Sequence, residues 1–200
     1  IYTVKEVQAP ANYGLNPTVF TADIEFAGQV VKLNVTDPVI TAGVSIKKTG
    51  YAQTMNNNVM RWTVSGVRND STTSLQSFYW RDTLPTDAVR LTRLVTGTYS
   101  TTQTYKVTFT TNLNSQWRTA YDNLSTAKNY TLDMSSAALG LASNEYVTQF
   151  MLSFGIVPAG FHQLTNATVD AQTLYALTNG YKFTNKADVG GLLGGNWVQS

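Results

Sequence analysis

LQSFYWRDTLP, residues 75–85, is a run of alternating side chains closed by a turn signal, and it carries the pattern that decides the fold. Successive side chains of a β-strand point to opposite faces, so Phe78, Trp80 and Asp82 share one face. Because two of the three are aromatic, the acid lies on the apolar side of the predicted strand. A buried carboxyl group is costly unless it is protonated or paired.

Runs of the same kind recur along the chain, with Gly, Pro, Asn or Asp between them. We predict strands in VSIKKTG (44–50), VMRWTVSGVRN (59–69), VRLTRLVTGTYS (89–100), TYKVTFTTN (104–112), YTLDM (130–134), EYVTQFMLSFGIVP (145–158) and YKFTN (181–185). SQWRTAYDNLSTAKN (115–129) reads as helix or loop, TVDAQTLYALTNG (168–180) as a short helix or a strand, and VGGLLGGNW (189–197) as a flexible segment. Many short strands with frequent turns predict an all-β, Ig-like sandwich.

The composition of the chain excludes several classes of function. The 200 residues are 42% hydrophobic and 13% charged, with a net charge of +2 and no cysteine. A weakly charged chain without a basic cluster is a poor nucleic-acid binder, and no apolar run is long enough to span a membrane. The absence of cysteine removes disulfides and thiolate chemistry. The lone histidine, His162, suggests neither a catalytic triad nor a metal site.

The pattern of residues 1–38 predicts a separate unit at the start of the sequence. We expect a strand, a turn around APANYGLNP (9–17), and two further strands, VFTADIEF (19–26) and QVVKLNVTD (29–37). Three short strands cannot close a sandwich, so we expect the tail of a domain whose first strand is missing. DPVITAG (37–43) reads as a linker. The predicted domains are therefore 1–38 and 39–200.

Three predicted strands of the second domain each place a polar side chain on an apolar face. Lys48 shares its face with apolar residues of VSIKKTG, Asp82 lies behind Phe78 and Trp80, and Asn185 shares its face with the aromatics of YKFTN. Each alone has a simple explanation, because a residue at a strand end reaches water or a turn. The three together support a specific reaction.

Burial lowers the pKa of a lysine and raises that of an aspartate, so both become neutral. A neutral Lys48 amine is a nucleophile that can attack the side-chain carbonyl of Asn185 and expel ammonia. Protonated Asp82 would polarise that carbonyl and transfer the proton. The fold supplies the proximity, and no cofactor is needed.

The segment YTVKEVQAPANYGL (2–15) resembles the C-terminal box of Cna B-type (SpaA-like) pilin domains, with Asn12 replacing a family glycine. The resemblance implies that Glu6 is the acid that promotes an isopeptide bond in that domain. The family acceptor lies on the last strand, where parity favours Asp37 over Asn34. The lysine would lie on the missing first strand, so Glu6 and Asp37 form a half-site.

Residues 44–200 resemble the large β-domain that often follows a SpaA-like domain in Gram-positive surface proteins, through FYWRDTLP (78–85) and TNKADVGG (184–191) among other stretches. Similarity to Cna A-like domains, which place lysine first, aspartate early and asparagine last, implies a Lys48–Asn185 isopeptide bond promoted by Asp82. Lys47 as nucleophile and Asp188 as acceptor are the alternatives.

These resemblances imply a stalk or shaft segment of a pilin or adhesin on the bacterial surface, anchored to the cell wall through a segment outside this chain. The expected partners are neighbouring domains of the same protein, with no nucleic acid and no membrane. The alternative function is an adhesive module that binds a host protein or glycan through its aromatic residues. No enzyme acting on an external substrate is expected, and no cofactor or metal. The predicted crosslinking is a single intramolecular turnover.

Overall fold

The computed structural model describes residues 1–52, 58–174 and 180–200, and the regular elements in these ranges are β-strands. The prediction of an all-β sandwich fold is confirmed. The strands are β1 (Tyr2–Lys5), β2 (Val19–Ala22), β3 (Val44–Ala52), β4 (Val59–Asn69), β5 (Leu75–Thr83), β6 (Val89–Val95), β7 (Thr98–Tyr99), β8 (Thr104–Thr111), β9 (Arg118–Ser125), β10 (Thr131–Asp133), β11 (Val147–Val157), β12 (Gln163–Thr165), β13 (Ala167–Thr173), β14 (Lys186–Leu193) and β15 (Asn196–Gln199).

The chain divides into two compact units, residues 1–42 and 43–200, and the division falls within the predicted linker 37–43. In the first unit β1 pairs with β2 in an antiparallel ribbon. Asn12 adopts a positive φ of 70°, which asparagine tolerates better than most residues, and the amide of Tyr13 donates to the Pro10 carbonyl across the turn.

The first unit has no core of its own. None of its 42 residues is buried, and the large side chains of Tyr2 and Val4 in β1 are 60% and 44% exposed. The predicted strand over 29–37 is wrong, because that segment forms no ladder of backbone hydrogen bonds with β1 or β2. The strand predicted over 19–26 ends at Ala22.

The second unit contains two large antiparallel sheets. One has the strand order β10-β6-β13-β4-β3 and the other β15-β14-β5-β11-β8-β9; β12 and β7 form a short ribbon. The buried core combines side chains from both sheets, such as Val64 and Val169 of the five-stranded sheet and Trp80, Phe150 and Leu152 of the six-stranded sheet. This burial supplies the main favourable free energy of folding.

Three strands position the candidate site. β3, which carries Lys48, is the edge strand of the five-stranded sheet and pairs with β4. β5, which carries Asp82, lies inside the six-stranded sheet between β11 and β14. Ala187 of β14 is the register partner of Asp82, so Asn185 enters the sheet next to the acid.

Three sequence predictions of secondary structure need correction. Residues 118–125 are strand β9 and not helix or loop, since they pair with β8 at the edge of the six-stranded sheet. Residues 189–197 are not a flexible tail but most of the β14–β15 hairpin, whose turn uses the positive φ of Gly194 and Gly195. Residues 181–185 form no strand, because sheet pairing begins at Lys186.

The sequence of residues 168–180 predicts a short helix or a strand, and the structure places most of its first half in strand β13, Ala167–Thr173. Residues 175–179, the part of this segment that precedes Gly180, lie outside the described residues.

Candidate functional site

Lys48, Asp82 and Asn185 meet in the interior of the second unit, although they are far apart in the sequence. The Lys48 ammonium nitrogen donates to Asp82 Oδ2 across the gap between the two sheets. The Lys48 side chain is 10% exposed and the Asp82 side chain is fully buried. The Asn185 side chain faces the same carboxyl group, and this contact by itself lowers the pKa of Asp82. The structure therefore brings together the three residues predicted for the crosslink.

Burial pushes both members of the Lys48–Asp82 pair toward their neutral forms. Desolvation lowers the pKa of Lys48 by more than the charge and hydrogen bond of Asp82 raise it. Desolvation likewise raises the pKa of Asp82 by more than Lys48 and Asn185 lower it. A neutral amine beside a protonated carboxyl is the state in which a lysine is nucleophilic and an aspartic acid can donate a proton.

The amide of Asn185 is buried without a hydrogen bond of normal geometry. Its Nδ2 and Oδ1 have no hydrogen-bond partner, and neither has Oδ1 of Asp82. Buried polar groups are nearly always paired, and each unpaired one costs about 1–3 kcal/mol. Such a group in a native fold calls for an explanation, and a reactive arrangement is one.

Aromatic side chains surround the three residues. The Lys48 nitrogen lies 5.6 Å from the centre of the Trp62 ring, and Trp62 meets Phe183 edge-on at 6.4 Å. On the other side, Trp80 and Phe150 are fully buried and also pack edge-on. A groove of about 650 Å³, lined by parts of β3, β4 and residues 181–185, opens beside Lys48. Aromatic side chains thus form much of the wall of the site, and the groove opens to solvent beside Lys48.

The two alternative residues lie elsewhere. Lys47 is exposed, as the alternation along β3 predicts. Asp188 lies on the outer face of the six-stranded sheet, where Arg81 donates to both carboxylate oxygens at 2.9 Å. The structure brings neither residue to the Lys48–Asp82 pair.

Glu6 and Asp37 lie side by side in the first unit. Burial and the neighbouring Glu6 carboxylate raise the pKa of Asp37, whose Oδ1 is buried without a partner. The backbone amide of Asn16 donates to Glu6 Oε2 at 2.6 Å. Lys5 and Lys32 of this unit are exposed. The predicted half-site is therefore assembled, and residues 1–42 place no lysine against it.

Sequence reasoning missed the residues that support these sites. Asn16 lies in the turn predicted from the sequence, but its contact with Glu6 depends on how the turn folds back. Trp62 is one aromatic among many inward residues, and only the pairing of β3 with β4 places it under Lys48. No pattern within a single strand carries this information.

Two other kinds of site are absent from the described residues. Within 1–52, 58–174 and 180–200, no cluster of three or more His, Cys, Asp or Glu side chains is arranged to hold a metal ion. In the same ranges no helix is long and apolar enough to cross a membrane. The tryptophans divide evenly: Trp62 and Trp80 are buried, whereas Trp117 and Trp197 are 39% and 54% exposed.

Comparison with known proteins gives no family. No family model matches the sequence, and no curated protein matches it. A solved structure described as "Pore forming protein" aligns with 87% of this chain and 90% of its own, at 5% identity and a TM-score of 0.24. A TM-score that low carries no inference about fold or function.

Proposed function

We propose that this chain is a structural stalk or shaft segment of a bacterial cell-surface protein or pilin, and that residues 43–200 are stabilised by an autocatalytic Lys48–Asn185 isopeptide bond. The observation that carries the proposal is the buried meeting of Lys48, Asp82 and Asn185, with both amide atoms of Asn185 unpaired. A bond between Lys48 and Asn185 would join β3 of one sheet to the segment leading into β14 of the other.

The proposed reaction needs only the side chains already present. The Lys48 nitrogen attacks Cγ of Asn185 while protonated Asp82 donates to the amide oxygen. Asp82 then accepts the proton released by the Lys48 nitrogen and returns it to the leaving NH₂ group. The C–N bond to Nδ2 breaks, the bond to Nζ forms, one ammonia is released, and the proton on the amide oxygen returns to Asp82 as the carbonyl re-forms. Asp82 ends as it began, so the chain completes one turnover.

The site would favour this reaction in two ways. The folded chain holds the nucleophile and the carbonyl together, which replaces a collision between separate molecules. The aromatic walls exclude water, and burial shifts the pKa of Lys48 down and that of Asp82 up, toward the neutral amine and the protonated acid that the reaction needs. The groove beside Lys48 offers the released ammonia a way out.

We extend the proposal to the first unit. Glu6 would promote a bond between Asp37 and a lysine supplied by a further strand of the same surface protein, with loss of one water. The adjacent carboxyls of Glu6 and Asp37 support this role, because burial and the neighbouring Glu6 raise the pKa of Asp37 toward its protonated form. The expected location is extracellular, on the bacterial surface.

The decisive experiment is the intact mass of the purified chain. We expect the parent to be lighter than its sequence mass by one ammonia, and peptide mapping to join Lys48 to Asn185. Asp82→Ala should keep the full sequence mass, because the proton carrier is gone. Asn185→Asp should lose one water instead of one ammonia.

Lys47→Ala is the matched control, since Lys47 is the exposed neighbour of Lys48, and it should lose ammonia like the parent. Ammonia loss from Asp82→Ala, or a crosslink that maps to another pair of residues, would contradict the mechanism.

A further inference from the structure

Strand β14, which leads Asn185 into the site, has few side chains able to fix its own register. Its inward positions include only Ala187 and Val189 before the glycine pair Gly190–Gly191. The pairing of β14 with β5 shifts between Gly190 and Leu192. Strands rich in glycine specify their register weakly, because they offer little side-chain packing to distinguish one alignment from the next.

The register of β14 decides which residue reaches Asp82. Side chains alternate with a period of two, so a slip of one residue turns Asn185 to the outer face. Thr184 or Lys186 would then point toward the site, and neither offers a carbonyl to Lys48. A fixed alignment of β14 on β5 is therefore a requirement of the crosslink.

A polar network on the outer face holds that alignment. Arg81 of β5 donates from Nε and Nη2 to the two oxygens of its register partner, Asp188 of β14, each at 2.9 Å. The Tyr79 hydroxyl donates to Asp188 Oδ2 at 3.1 Å, and Gln199 of β15 donates to that hydroxyl at 2.9 Å. A two-point guanidinium–carboxylate pair fixes orientation as well as distance.

The network lies one residue from the reacting acid. Arg81 and Asp188 are paired in register directly beside the pair of Asp82 and Ala187, on the opposite face of the same two strands. Gly190 makes room for the network, because a Cβ there would lie 3.0 Å from the ring and hydroxyl of Tyr79. Gly190, on the outer face with Asp188, thus makes room for the contact that restores the register, whereas Gly191 weakens it on the inner face.

We propose that the Arg81–Asp188 pair is a register clamp that positions Asn185 for attack by Lys48. Arg81 and Asp188 are positioning residues, since they act through the alignment of β14 and touch no reacting atom. This inference rests on the proposed crosslinking function and adds the residues that select the acceptor.

The test follows ammonia loss over time after pulsed cell-free synthesis of the full chain, with near-ultraviolet circular dichroism to show that each variant is folded. Arg81→Met keeps the stem of the side chain and removes the two-point contact, so the crosslinking rate should fall by about ten- to a hundredfold. Arg81→Lys restores a one-point ion pair and should give an intermediate rate. Arg81 is changed in preference to Asp188, because the Asp188 charge also raises the pKa of Asp82.

Arg118→Met is the matched control, because it removes a similar pair with Glu145 at the far edge of the same sheet. It should crosslink at the parental rate. The clamp is refuted if folded Arg81→Met matches the parent, or if Arg118→Met slows the reaction equally. If Arg81→Met does not fold, a parental rate for Arg81→Lys refutes it. A parent that never loses ammonia refutes the proposed function and the clamp together, whereas a crosslinking parent with an unaffected Arg81→Met refutes the clamp alone.

Discussion

Lys48 and Asp82 carry opposite formal charges, yet burial pushes each toward neutrality. Removing either residue therefore leaves the other buried without its partner. If Asp82 is removed, Lys48 keeps a buried amine with no acid to supply the proton that the reaction needs. If Lys48 is removed, the fully buried Asp82 loses its hydrogen-bond donor, and a buried polar group without a partner is costly.

Glycine is required at position 50, because Trp62 occupies the space that a side chain on this residue would need. A Cβ at position 50 would lie 2.6 Å from Nε1 of Trp62, and closer still to Cδ1. Gly50→Ala should therefore displace the ring that covers Lys48. We expect the free energy of unfolding to fall by about 1–3 kcal/mol, as for other overpacked sites. Thermal unfolding followed by circular dichroism measures the change.

Gly43→Ala is the matched control for this prediction. The nearest heavy atom to a Cβ at position 43 is Asp70 Cβ, at an ordinary contact distance of 3.5 Å. The thermal midpoint of this variant should stay close to that of the parent. An equal loss of stability in both variants would show that the space occupied by Trp62 is not the cause.

At the scale of the strands, Asp170 links three adjacent strands of the five-stranded sheet. From β13, its carboxylate accepts two hydrogen bonds from Arg61 of β4 and two from Arg93 of β6, at 2.6–2.9 Å. Burial alone would raise the pKa of Asp170, but the hydrogen bonds and charges of the two arginines outweigh it and hold the pKa below its usual range.

A lowered pKa in the folded state makes this contribution dependent on pH. Stability from Asp170 is present above the unfolded pKa of about 4 and is lost as the pH falls through the lower folded pKa. Asp170→Asn should therefore cost about 1–3 kcal/mol at pH 7, and less as the pH falls below about 4. Urea unfolding at several pH values measures the gap.

Asp70→Asn provides the comparison for the pH series. It weakens the Arg68–Asp70 pair, in which both side chains are at least 40% exposed, and exposed pairs contribute little. A gap between Asp170→Asn and the parent that persists unchanged at low pH would show that the carboxylate charge is not the source of its effect.

The sequence predicts a strand well when apolar and polar side chains alternate along its whole length. VMRWTVSGVRN matches β4 residue for residue, and alternation also predicts the inward direction of Asp82. β9 escapes prediction because its register shifts against β8 and Asn123 takes a positive φ, which breaks the alternation. The Arg81–Asp188 pair escapes because it depends on register between strands more than 100 residues apart, which no local pattern records.

At the scale of the whole molecule, the two units differ in how they are stabilised. The buried hydrophobic residues lie between Trp62 and Val189, and none belongs to residues 1–42. A unit without buried apolar surface gains little of the free energy that offsets conformational entropy. The stability of the chain therefore resides in residues 43–200, which also contain Lys48, Asp82 and Asn185.

Residues 43–200 expressed alone should therefore fold, lose one ammonia and unfold at the same temperature as the full chain. The crosslink closes a loop of more than about 100 residues, which in the chain-entropy model stabilises the fold by about 4–5 kcal/mol. Lys48→Met in the same fragment should lose at least that amount, measured by urea unfolding, because Asp82 also loses its hydrogen-bond donor, and should digest faster with protease. If the fragment crosslinks but Lys48→Met is as stable as its parent, the bond forms without contributing to stability. The crosslink would then not support the proposed stalk function. If the fragment does not fold, residues 1–42 contribute contacts that the burial pattern does not predict.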